Sequence, residues 1–310
     1  MCGRTACTLN PEEICRACPY TSKSGKQLSP LWIDAPGSQQ YYPGYNKSPT
    51  SYLPVMTYDE KHDEMTIRPM LWGLIPHWYK GESPTGHKLS TNNCRIESLK
   101  ENKPMFSYAL KRSGRCVFLT EGYYEWKTEG NNKQPYLLYG AQREGVTIGD
   151  RDSWESDVTS DNIEWKGPAL LTIAGIYNTW SPIDSNEEIY NFTIVTMPSS
   201  KNMEWLHHRM PAVLDNEADL RMWLDNSWEP EKAVNDLKSS HSLQYHPVST
   251  VVNNSRNDVK ECVLEIDLKK PTKANPSANL MMSWLKKGKK PDEDEQDGKS
   301  PNKKIKKEKE

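Results

Sequence analysis

Residues 115–126 read Arg-Cys-Val-Phe-Leu-Thr-Glu-Gly-Tyr-Tyr-Glu-Trp. The apolar run 115–119 is rich in β-formers and predicts a strand, with carboxylates and aromatic residues directly after it. Similar short runs, apolar or alternating and bounded by Gly, Pro, Asn or Ser, occur at 65–71, 135–139, 170–176, 192–196 and 212–214. These runs predict a protein that consists mainly of short strands.

Helical patterns are fewer. Residues 217–224 and 230–237 have the composition of helices, and Pro230 after Glu229 is typical of a first helical turn. Strands outnumber helices, and no alternation of strand and helix indicates a parallel sheet. We therefore expect an α+β fold with a curved, barrel-like mixed β-sheet core and a few flanking helices.

The composition changes near residue 269. Residues 2–268 are rich in Trp, Tyr, Ile, Val and Leu, which predicts one domain with a sizeable core. Residues 269–310 contain Lys runs, Pro, Ser and Asn, which predicts a disordered tail. The tail carries a net charge of +6, so the total of -2 leaves -8 on the first 268 residues. Nucleic acid could therefore bind the domain only through a local basic surface.

Several protein classes are not indicated by the sequence. A charged and then apolar leader is missing, as is an apolar run of about 18 residues, so we expect neither secretion nor a membrane span. Seven cysteines at irregular spacings suggest reduced thiols. Cys15 and Cys18 have zinc-ligand spacing, but no second pair accompanies them. We expect partly buried thiols there, with no metal and no cofactor.

Cys2 follows Met1 directly. Removal of Met1 would leave a cysteine whose amine and thiol lie on adjacent carbons. Such a pair attacks an aldehyde in sequence: the amine gives an imine, and the thiol closes a five-membered thiazolidine ring. An α-amino group titrates near about 7.7 to 8.0, so roughly a tenth of it is neutral at pH 7. Gly3 gives the terminus room to approach a pocket wall.

Three further clusters have chemistry beyond core packing. Residues 90–97 are a dense polar run around Asn93 and Arg95, which is also compatible with a helix N-cap or an Asx turn. Residues 121–126 place carboxylates among aromatic residues, where one could act as a general acid or base or lie exposed beside a core Trp. Residues 207–211 begin with paired histidines, commonly one structural and one solvated.

Together these clusters resemble the SOS-response-associated peptidase (SRAP) family. The resemblance covers roughly residues 2–268, and its motifs occur in the family's order. They are Met-Cys-Gly-Arg at 1–4, Tyr-Asn-Lys-Ser-Pro at 45–49, Met-x-Trp-Gly-Leu-Ile-Pro-x-Trp at 70–78, Asn-x-Arg at 93–95, Gly-x-Tyr-Glu-Trp at 122–126, Ala-Gly-Ile-Tyr at 174–177 and His-x-Arg-Met-Pro at 207–211.

The resemblance implies a sensor of abasic sites in single-stranded DNA. Cys2, freed of Met1, would form a stable cross-link with the ring-opened aldehyde, and the release of Met1 could be autocatalytic. Glu125 and His207 would move protons, and Asn93 would hold the terminus or the sugar. The resemblance also implies a DNA-contacting set: Arg4, Pro43, Asn46, Trp78, Arg95, Trp126 and Arg209. Trp72 is expected in the core.

The tail has features of partner binding. Met281, Trp284 and Leu285 resemble a degenerate docking motif for the replication sliding clamp, although a Gln at its first position is missing; a short amphipathic helix without a partner is the alternative. The basic run 303–307 suits nuclear import, or is solvated charge. We expect a monomer that works in the nucleus at replication forks.

Two other functions remain open at this point. An N-terminal-nucleophile peptidase would also use Cys2, with its own amine as the base. A non-covalent reader of modified cytosine would need a closed pocket for a flipped base and would not need the thiol. A gel-stable adduct with abasic single-stranded DNA separates the three.

Overall fold

A computed structural model describes residues 2–130, 132–154 and 165–270. The proposed clamp-docking residues Met281, Trp284 and Leu285 and the basic run 303–307 lie outside these ranges, as does the predicted disorder of the tail. The chain divides into two units, Met1–Asp267 and Leu268–Glu310. The elements below belong to the first unit.

Fifteen strands and five α-helices are present in the described residues. The strands are β1 Thr5–Cys7, β2 Tyr20–Thr21, β3 Gln27–Leu28, β4 Leu31–Trp32, β5 Gly44–Lys47, β6 Tyr52–Asp59, β7 Glu64–Trp72, β8 Asn93–Arg95, β9 Arg115–Thr120, β10 Gly122–Glu129, β11 Asn132–Tyr139, β12 Leu171–Trp180, β13 Ile189–Pro198, β14 Arg209–Pro211 and β15 Gln244–Pro247. The helices are α1 Pro11–Ala17, α2 Ile96–Lys100, α3 Pro104–Lys111, α4 Glu217–Leu224 and α5 Pro230–Asp236.

Five of the strands close into a barrel. Antiparallel pairs join β13 to β12, β12 to β9, β9 to β6 and β6 to β7. A short parallel pairing of β7 with β13, with Leu71 opposite Asn191 and Trp72 opposite Phe192, completes the ring. Closure leaves no free edge between these strands. The predicted barrel-like mixed sheet and the burial of Trp72, which is 0% exposed, are confirmed.

A second sheet has the strand order β15-β11-β10-β1-β5. Strand partners lie on the same face of a sheet, so Thr5, Tyr123 and Leu138 form a row on one face. Tyr123 and Leu138 belong to the barrel's core cluster. On the opposite face Tyr124 and Leu137 pack with Val248, Val252 and Cys262 of the C-terminal part of the domain. The sheet thus has apolar residues on both faces.

One turn joins the two sheets, since β9 of the barrel continues into β10 of the second sheet. Thr120 accounts for part of the join, because its hydroxyl lies 2.5 Å from that of Thr5 and 2.8 Å from the Ala6 carbonyl. Gly122 is required by crowding, since a Cβ atom there would lie 2.7 Å from the carbonyl oxygen of Leu138. The stretch 115–126 therefore links the barrel to the sheet that carries the N-terminus.

Most of the predicted elements are confirmed. β7, β9, β11, β12 and β13 contain or closely match the predicted runs, helix 217–224 is α4, and helix 230–237 ends one residue early. The prediction of a strand at 212–214 is wrong. Ala212 donates its N–H to Val195 of β13, whereas Leu214 donates to Thr172 of β12, so this segment changes partner and forms no continuous ladder.

Two helices have clear N-terminal caps. The side chain of Asn10 accepts a hydrogen bond from the Glu13 N–H, and the Glu13 carboxylate accepts from the Asn10 N–H, which is a capping box. Asn216 caps α4 through the Asp219 N–H. Among the described residues no helix combines the length and the apolar character needed to cross a membrane.

Candidate functional site

The pairing of β1 with β10 positions the start of the chain. Thr5 lies opposite Tyr123, and the Tyr124 N–H donates to the Arg4 carbonyl at 3.0 Å. Because the strands are antiparallel, residues before Arg4 run toward the part of β10 that contains Glu125. Cys2 is buried there and only 2% exposed. Cys2 therefore lies buried beside β10, near Glu125.

Asn93 holds the backbone of Cys2. Its strand, β8, pairs in parallel with β13, with Asn93 opposite Ile194. The Asn93 side-chain Nδ2 donates to the Cys2 carbonyl at 2.8 Å. The Oδ1 atom of the same amide is buried and has no hydrogen-bond partner among the described residues. An unpaired buried acceptor of this kind is suited to a ligand donor such as an amine or a hydroxyl.

Glu125 is the nearby carboxylate. It is 5% exposed and lies opposite Tyr136 of β11. Burial raises the pKa of the Cys2 thiol well above its usual value, and the negative charge of Glu125 raises that pKa further. The Cys2 sulfur is consequently a protonated thiol at neutral pH, and the Glu125 carboxylate is near enough to affect it electrostatically.

His207 contributes an imidazole from the segment before β14. Its Nδ1 accepts a hydrogen bond from the Arg209 backbone N–H at 3.0 Å. The same Nδ1 lies 3.1 Å from the Arg209 carbonyl oxygen, to which it donates in the other tautomer, so the Arg209 backbone holds this edge of the ring in either tautomer. Burial lowers the pKa of His207, against the opposing effect of Glu125. His207 is thus neutral at pH 7. His208 is exposed and stacks on it at 4.4 Å.

Arg209 is engaged by a carboxylate of the protein itself. Its two terminal nitrogens lie 2.7 and 2.9 Å from the two carboxylate oxygens of Glu97, and Nη2 also donates to the Thr196 carbonyl at 2.7 Å. Glu97 was not identified from the sequence, because 112 residues separate it from Arg209. The pair joins α2, which follows Asn93, to β14, which follows His207.

Arg4 and Asn46 of the predicted DNA-contacting set lie inward. Arg4 donates to the Asn46 side-chain oxygen at 2.8 Å and to the Val252 carbonyl at 2.9 Å. Asn46 is 3% exposed, and its amide nitrogen contacts the carbonyls of Val252, Asn254 and Asn257. In this arrangement both side chains hold the segment 252–257 against β5.

The other proposed DNA contacts lie nearer the surface. Pro43 and Arg95 are exposed, and Trp78 is 50% exposed. Trp126 is partly buried, and its Nε1 donates to the Asn253 side chain at 2.7 Å. Arg95 precedes α2 as its N-cap residue and follows Asn93 by two positions, so it lies close to the Cys2 site along the chain.

Glu121 has an environment that the sequence did not reveal. It is fully buried, and its carboxylate accepts hydrogen bonds from both the N–H and the hydroxyl of Thr8. Burial raises its pKa to about 7, although the bonds from Thr8 oppose this. Glu121 therefore ties β9 to the segment that follows β1.

The cysteine pair of α1 does not form part of a larger ligand set. Cys15 and Cys18 pack against the core, and burial raises the pKa of Cys15 to about 11 and that of Cys18 to about 12. Within the described ranges, no group of three or more His, Cys, Asp or Glu side chains is placed to hold a metal ion. A cavity of about 390 Å³ lined by Cys18, Met56 and Asp215 contains none of the Cys2 site residues.

Comparison with known families gives one match over most of the chain. The profile described as SOS response associated peptidase (SRAP) matches residues 1–255. The matched part contains Cys2, Asn93, Glu125 and His207.

Several curated proteins are similar to the chain. The abasic site processing protein HMCES of Xenopus tropicalis is 40% identical over 92% of this chain and 85% of its own length. The mouse protein of that name is 39% identical, over 92% of this chain and 82% of its own. The abasic site processing protein YoqW of Bacillus subtilis is 28% identical over 72% of this chain and 87% of its own.

Solved structures share the fold. A crystal structure of a protein from Bacteroides thetaiotaomicron superposes with a TM-score of 0.56 at 25% identity, covering 72% of this chain and 86% of its own. A protein from Bordetella bronchiseptica superposes with a TM-score of 0.55 at 16% identity, covering 80% of this chain and 100% of its own. The second likeness concerns the fold alone.

Proposed function

Because the chain belongs to the SOS response associated peptidase (SRAP) family, we propose that it processes abasic sites in single-stranded DNA by covalent capture through Cys2. Its relatives are named abasic site processing proteins, which supports the abasic site as the lesion that this protein processes. The cluster of buried Cys2 and Glu125 with partly buried Asn93 and His207 supports the chemistry.

The reaction joins one aldehyde and one cysteine with the loss of one water. Hydrolysis of the Met1–Cys2 bond first frees the amine. The amine nitrogen then adds to the aldehyde carbon of the ring-opened deoxyribose, and the aldehyde oxygen leaves as water to give an imine. The thiol sulfur adds to the imine carbon, and the thiol proton ends on the nitrogen. The product is a thiazolidine ring that links the protein to the DNA.

The state of the Cys2 thiol sets the order of the two additions. Burial and Glu125 keep the sulfur protonated, and a thiol is a much weaker nucleophile than a thiolate. An α-amine titrates near about 8, so a usable fraction is neutral at pH 7. The amine therefore attacks first, and the sulfur follows when its proton is removed inside the site.

Glu125 and His207 divide the proton transfers. Glu125 is the group that takes the thiol proton, because its charge acts directly on Cys2. His207 is held through its Nδ1 by the Arg209 backbone. In this proposal its ring transfers a proton to the oxygen that departs as water.

Asn93 positions the reacting residue. Its Nδ2 fixes the Cys2 carbonyl at 2.8 Å, so the amine and thiol of Cys2 keep a constant orientation. Its buried Oδ1 has no partner in the described part of the chain and is placed to accept from the freed amine or from a sugar hydroxyl. Both contacts lower the entropy that must be lost in the addition steps.

DNA is bound by a few local contacts on an acidic domain. Arg95 is exposed near the site, which suits a phosphate contact. Trp78 is half-exposed and can support an unstacked base. Arg209 already shares its charge with Glu97, so the first role of its side chain in this proposal is to hold the segment of His207 against that of Asn93.

The tail supplies location rather than chemistry in this proposal. The run 303–307 is proposed to direct nuclear import, and Met281, Trp284 and Leu285 to dock on the sliding clamp. Neither feature takes part in the reaction at Cys2.

The burial of Cys2 beside Glu125 and under the Asn93 amide carries the proposal. Incubation of the purified protein with an abasic single-stranded oligonucleotide should give an adduct that survives denaturing electrophoresis. Cys2→Ala should abolish the adduct and leave reversible binding nearly intact, because phosphate contacts provide the affinity. Cys2→Ser should also lack a stable adduct, while the partly buried Cys15→Ser serves as the matched control.

Two outcomes would contradict the proposal. A wild-type protein that binds the oligonucleotide without any adduct would favour a non-covalent reader. A Cys2→Ser variant that cross-links as stably as wild type would exclude the thiazolidine.

A further inference from the structure

A cluster of aromatic side chains begins beside Glu125 and continues to the surface. Tyr136 lies directly opposite Glu125 in the pairing of β11 with β10. The Tyr136 ring is 5.2 Å from Trp205 and 6.1 Å from Tyr245, and Trp205 is 4.9 Å from Tyr245. We call Tyr136, Trp205 and Tyr245 the aromatic platform.

The strand register places the platform on the face of the sheet that carries the catalytic carboxylate. Residues directly opposite each other across a ladder share a face, and their Cβ atoms lie about 4.5 to 5.5 Å apart. Tyr136 is opposite Glu125, and Tyr245 is opposite Leu138, two residues after Tyr136. Trp205 reaches the same place from the segment that carries His207, two residues further on. The platform thus adjoins the site from two directions.

The platform becomes more exposed with distance from Glu125. Tyr136 is 8% exposed, Trp205 is 37% exposed and Tyr245 is 44% exposed. A tryptophan packed only as core would be buried, as Trp72 and Trp223 are at 0%. The outer two rings are instead partly open to solvent next to a buried reactive site.

A cation accompanies the rings. Lys127 is two residues after Glu125 on β10, so it shares the face of Glu125. Its Nζ lies 5.3 Å from the centroid of the Trp205 ring and 2.5 Å from the Glu129 carboxylate. That carboxylate's side chain is 70% exposed, so the ion pair is worth little and is easily exchanged for another anion.

We infer that the aromatic platform stacks an unpaired nucleobase next to the abasic residue, with Lys127 contacting the phosphate beside that base. This inference rests on the proposed function, since it takes single-stranded DNA as the ligand. Partly exposed rings beside a cation suit single-stranded DNA, whose bases offer π-faces at regular intervals along a charged backbone. Stacking of this kind accepts every base, so the platform adds affinity and orientation without sequence preference.

The test uses an oligonucleotide with a tetrahydrofuran in place of the abasic sugar, because this analogue has no aldehyde and binding stays reversible. Fluorescence anisotropy measures its affinity for the wild type, Trp205→Ala and Tyr245→Ala. Stacking is worth about 1 to 3 kcal/mol per base, so each variant should bind about 5- to 150-fold more weakly. Trp205→Phe, which keeps a ring, should retain most of the affinity.

A second oligonucleotide identifies the contact. It has tetrahydrofuran also at the positions on both sides of the lesion, so the base proposed to stack is missing. The wild type should bind this second oligonucleotide as weakly as Trp205→Ala binds the first one. Equal losses for Trp205→Ala on both oligonucleotides would overturn the inference, as would unchanged affinity of both alanine variants on the first.

Trp228→Ala is the matched control, because Trp228 also carries a lysine over its ring, Lys232 at 4.4 Å, but lies between α4 and α5. The affinity of Trp228→Ala for the first oligonucleotide should equal that of the wild type.

If Trp205→Ala lowers the unfolding temperature, Tyr245→Ala becomes the deciding variant, since Tyr245 is the most exposed ring of the platform. Capture of authentic abasic DNA by the wild type is measured in parallel. Normal capture with no effect of the variants refutes the platform alone, whereas absent capture refutes the proposed function.

Discussion

The two ends of the segment 121–126 each carry a buried glutamate, and they do different things. Glu121 is fully buried and both of its carboxylate oxygens accept hydrogen bonds from Thr8. Glu125 is almost as buried, but its charge acts on Cys2 and on His207. Four positions along one sequence motif therefore distinguish a carboxyl group that bonds within the fold from the one that we propose to be reactive.

The difference comes from what each end meets. Glu121 lies in the turn between β9 and β10, next to the chain that leaves β1. Glu125 lies within β10, on the side toward which the N-terminus runs. Burial alone therefore does not identify a glutamate as a catalytic candidate. A nucleophile next to the buried carboxylate is the additional sign.

The rate of capture should separate the two glutamates most strongly. Glu125→Gln should slow adduct formation about 10²- to 10⁴-fold, the range typical of lost general acid–base catalysis. Glu121→Gln should leave the rate nearly unchanged, because its side chain contacts Thr8 rather than Cys2. Single-turnover gel assays measure both. Equal slowing by the two substitutions would remove the distinction.

The histidine pair offers a similar contrast of smaller size. His207→Ala should slow capture roughly 10²-fold, whereas His208→Ala should change it little, since His208 is exposed. Protonation of the α-amine, whose pKa is near about 8, lowers the rate of every variant in acid, so the informative quantity is the ratio of the wild-type rate to the His207→Ala rate. Burial lowers the pKa of His207, so this ratio should stay constant around neutral pH and change only below about pH 6.5, where the ring gains its proton. The ratio of wild type to His208→Ala should stay flat over the same range. A ratio for His207→Ala that is also flat into the acid range would contradict the proton-transfer role of His207.

The free energy of unfolding should depend on pH through Glu121. Its folded pKa of about 7 exceeds the ordinary 4.5, so the folded state binds the extra proton between these values. Its contribution is therefore full below pH 4.5 and is lost as the pH rises through about 7, a change of about 3 kcal/mol. Relative to Glu121→Gln, the wild type should lose stability from pH 4.5 to 8 in urea unfolding. Glu129→Gln, at an exposed carboxylate, should show no such trend; a flat difference for Glu121→Gln would contradict the assignment.

The smallest expected effects are those of the two arginines near the site. Arg95 should affect mainly DNA binding, and Arg209 mainly the capture rate. Arg95→Gln should weaken binding to any single-stranded sequence and lower the slope of log affinity against log salt by about 0.7, the share of one phosphate. Arg209→Gln should alter the salt slope less and the capture rate more, since its guanidinium bonds Glu97 and so joins the segment of His207 to that of Asn93. Anisotropy titrations over a range of salt decide this. Identical slopes for both variants would make Arg209 a phosphate ligand as well.

Much of the fold could be predicted from local sequence. Helix 217–224 has its cap at Asn216 and its apolar face within eight residues, so its bounds are local information. Residues 212–214 have an equally local apolar pattern, but their hydrogen bonds go to two different strands. Only the tertiary arrangement of β12 and β13 determines that outcome.

The site was predicted residue by residue, but its contacts were not. The motifs identified Cys2, Asn93, Glu125 and His207 as reactive groups, and these assignments remain predictions. The bond from Asn93 to the Cys2 carbonyl and the ion pair of Glu97 with Arg209 join residues about 90 to 110 positions apart. No spacing rule reaches across such distances, and the same holds for the contact of Arg4 with Asn46, whose roles at the DNA remain predictions.

The mass of the N-terminal peptide after capture tests the central claim most directly. Cleavage of the cross-linked protein at Glu12 or Glu13, followed by mass spectrometry, should give a peptide that begins at Cys2 and carries the sugar remnant with the loss of one water. No reducing agent should be needed, because the thiazolidine is already a closed ring. A peptide that retains Met1, or a remnant on any residue other than Cys2, would contradict the account.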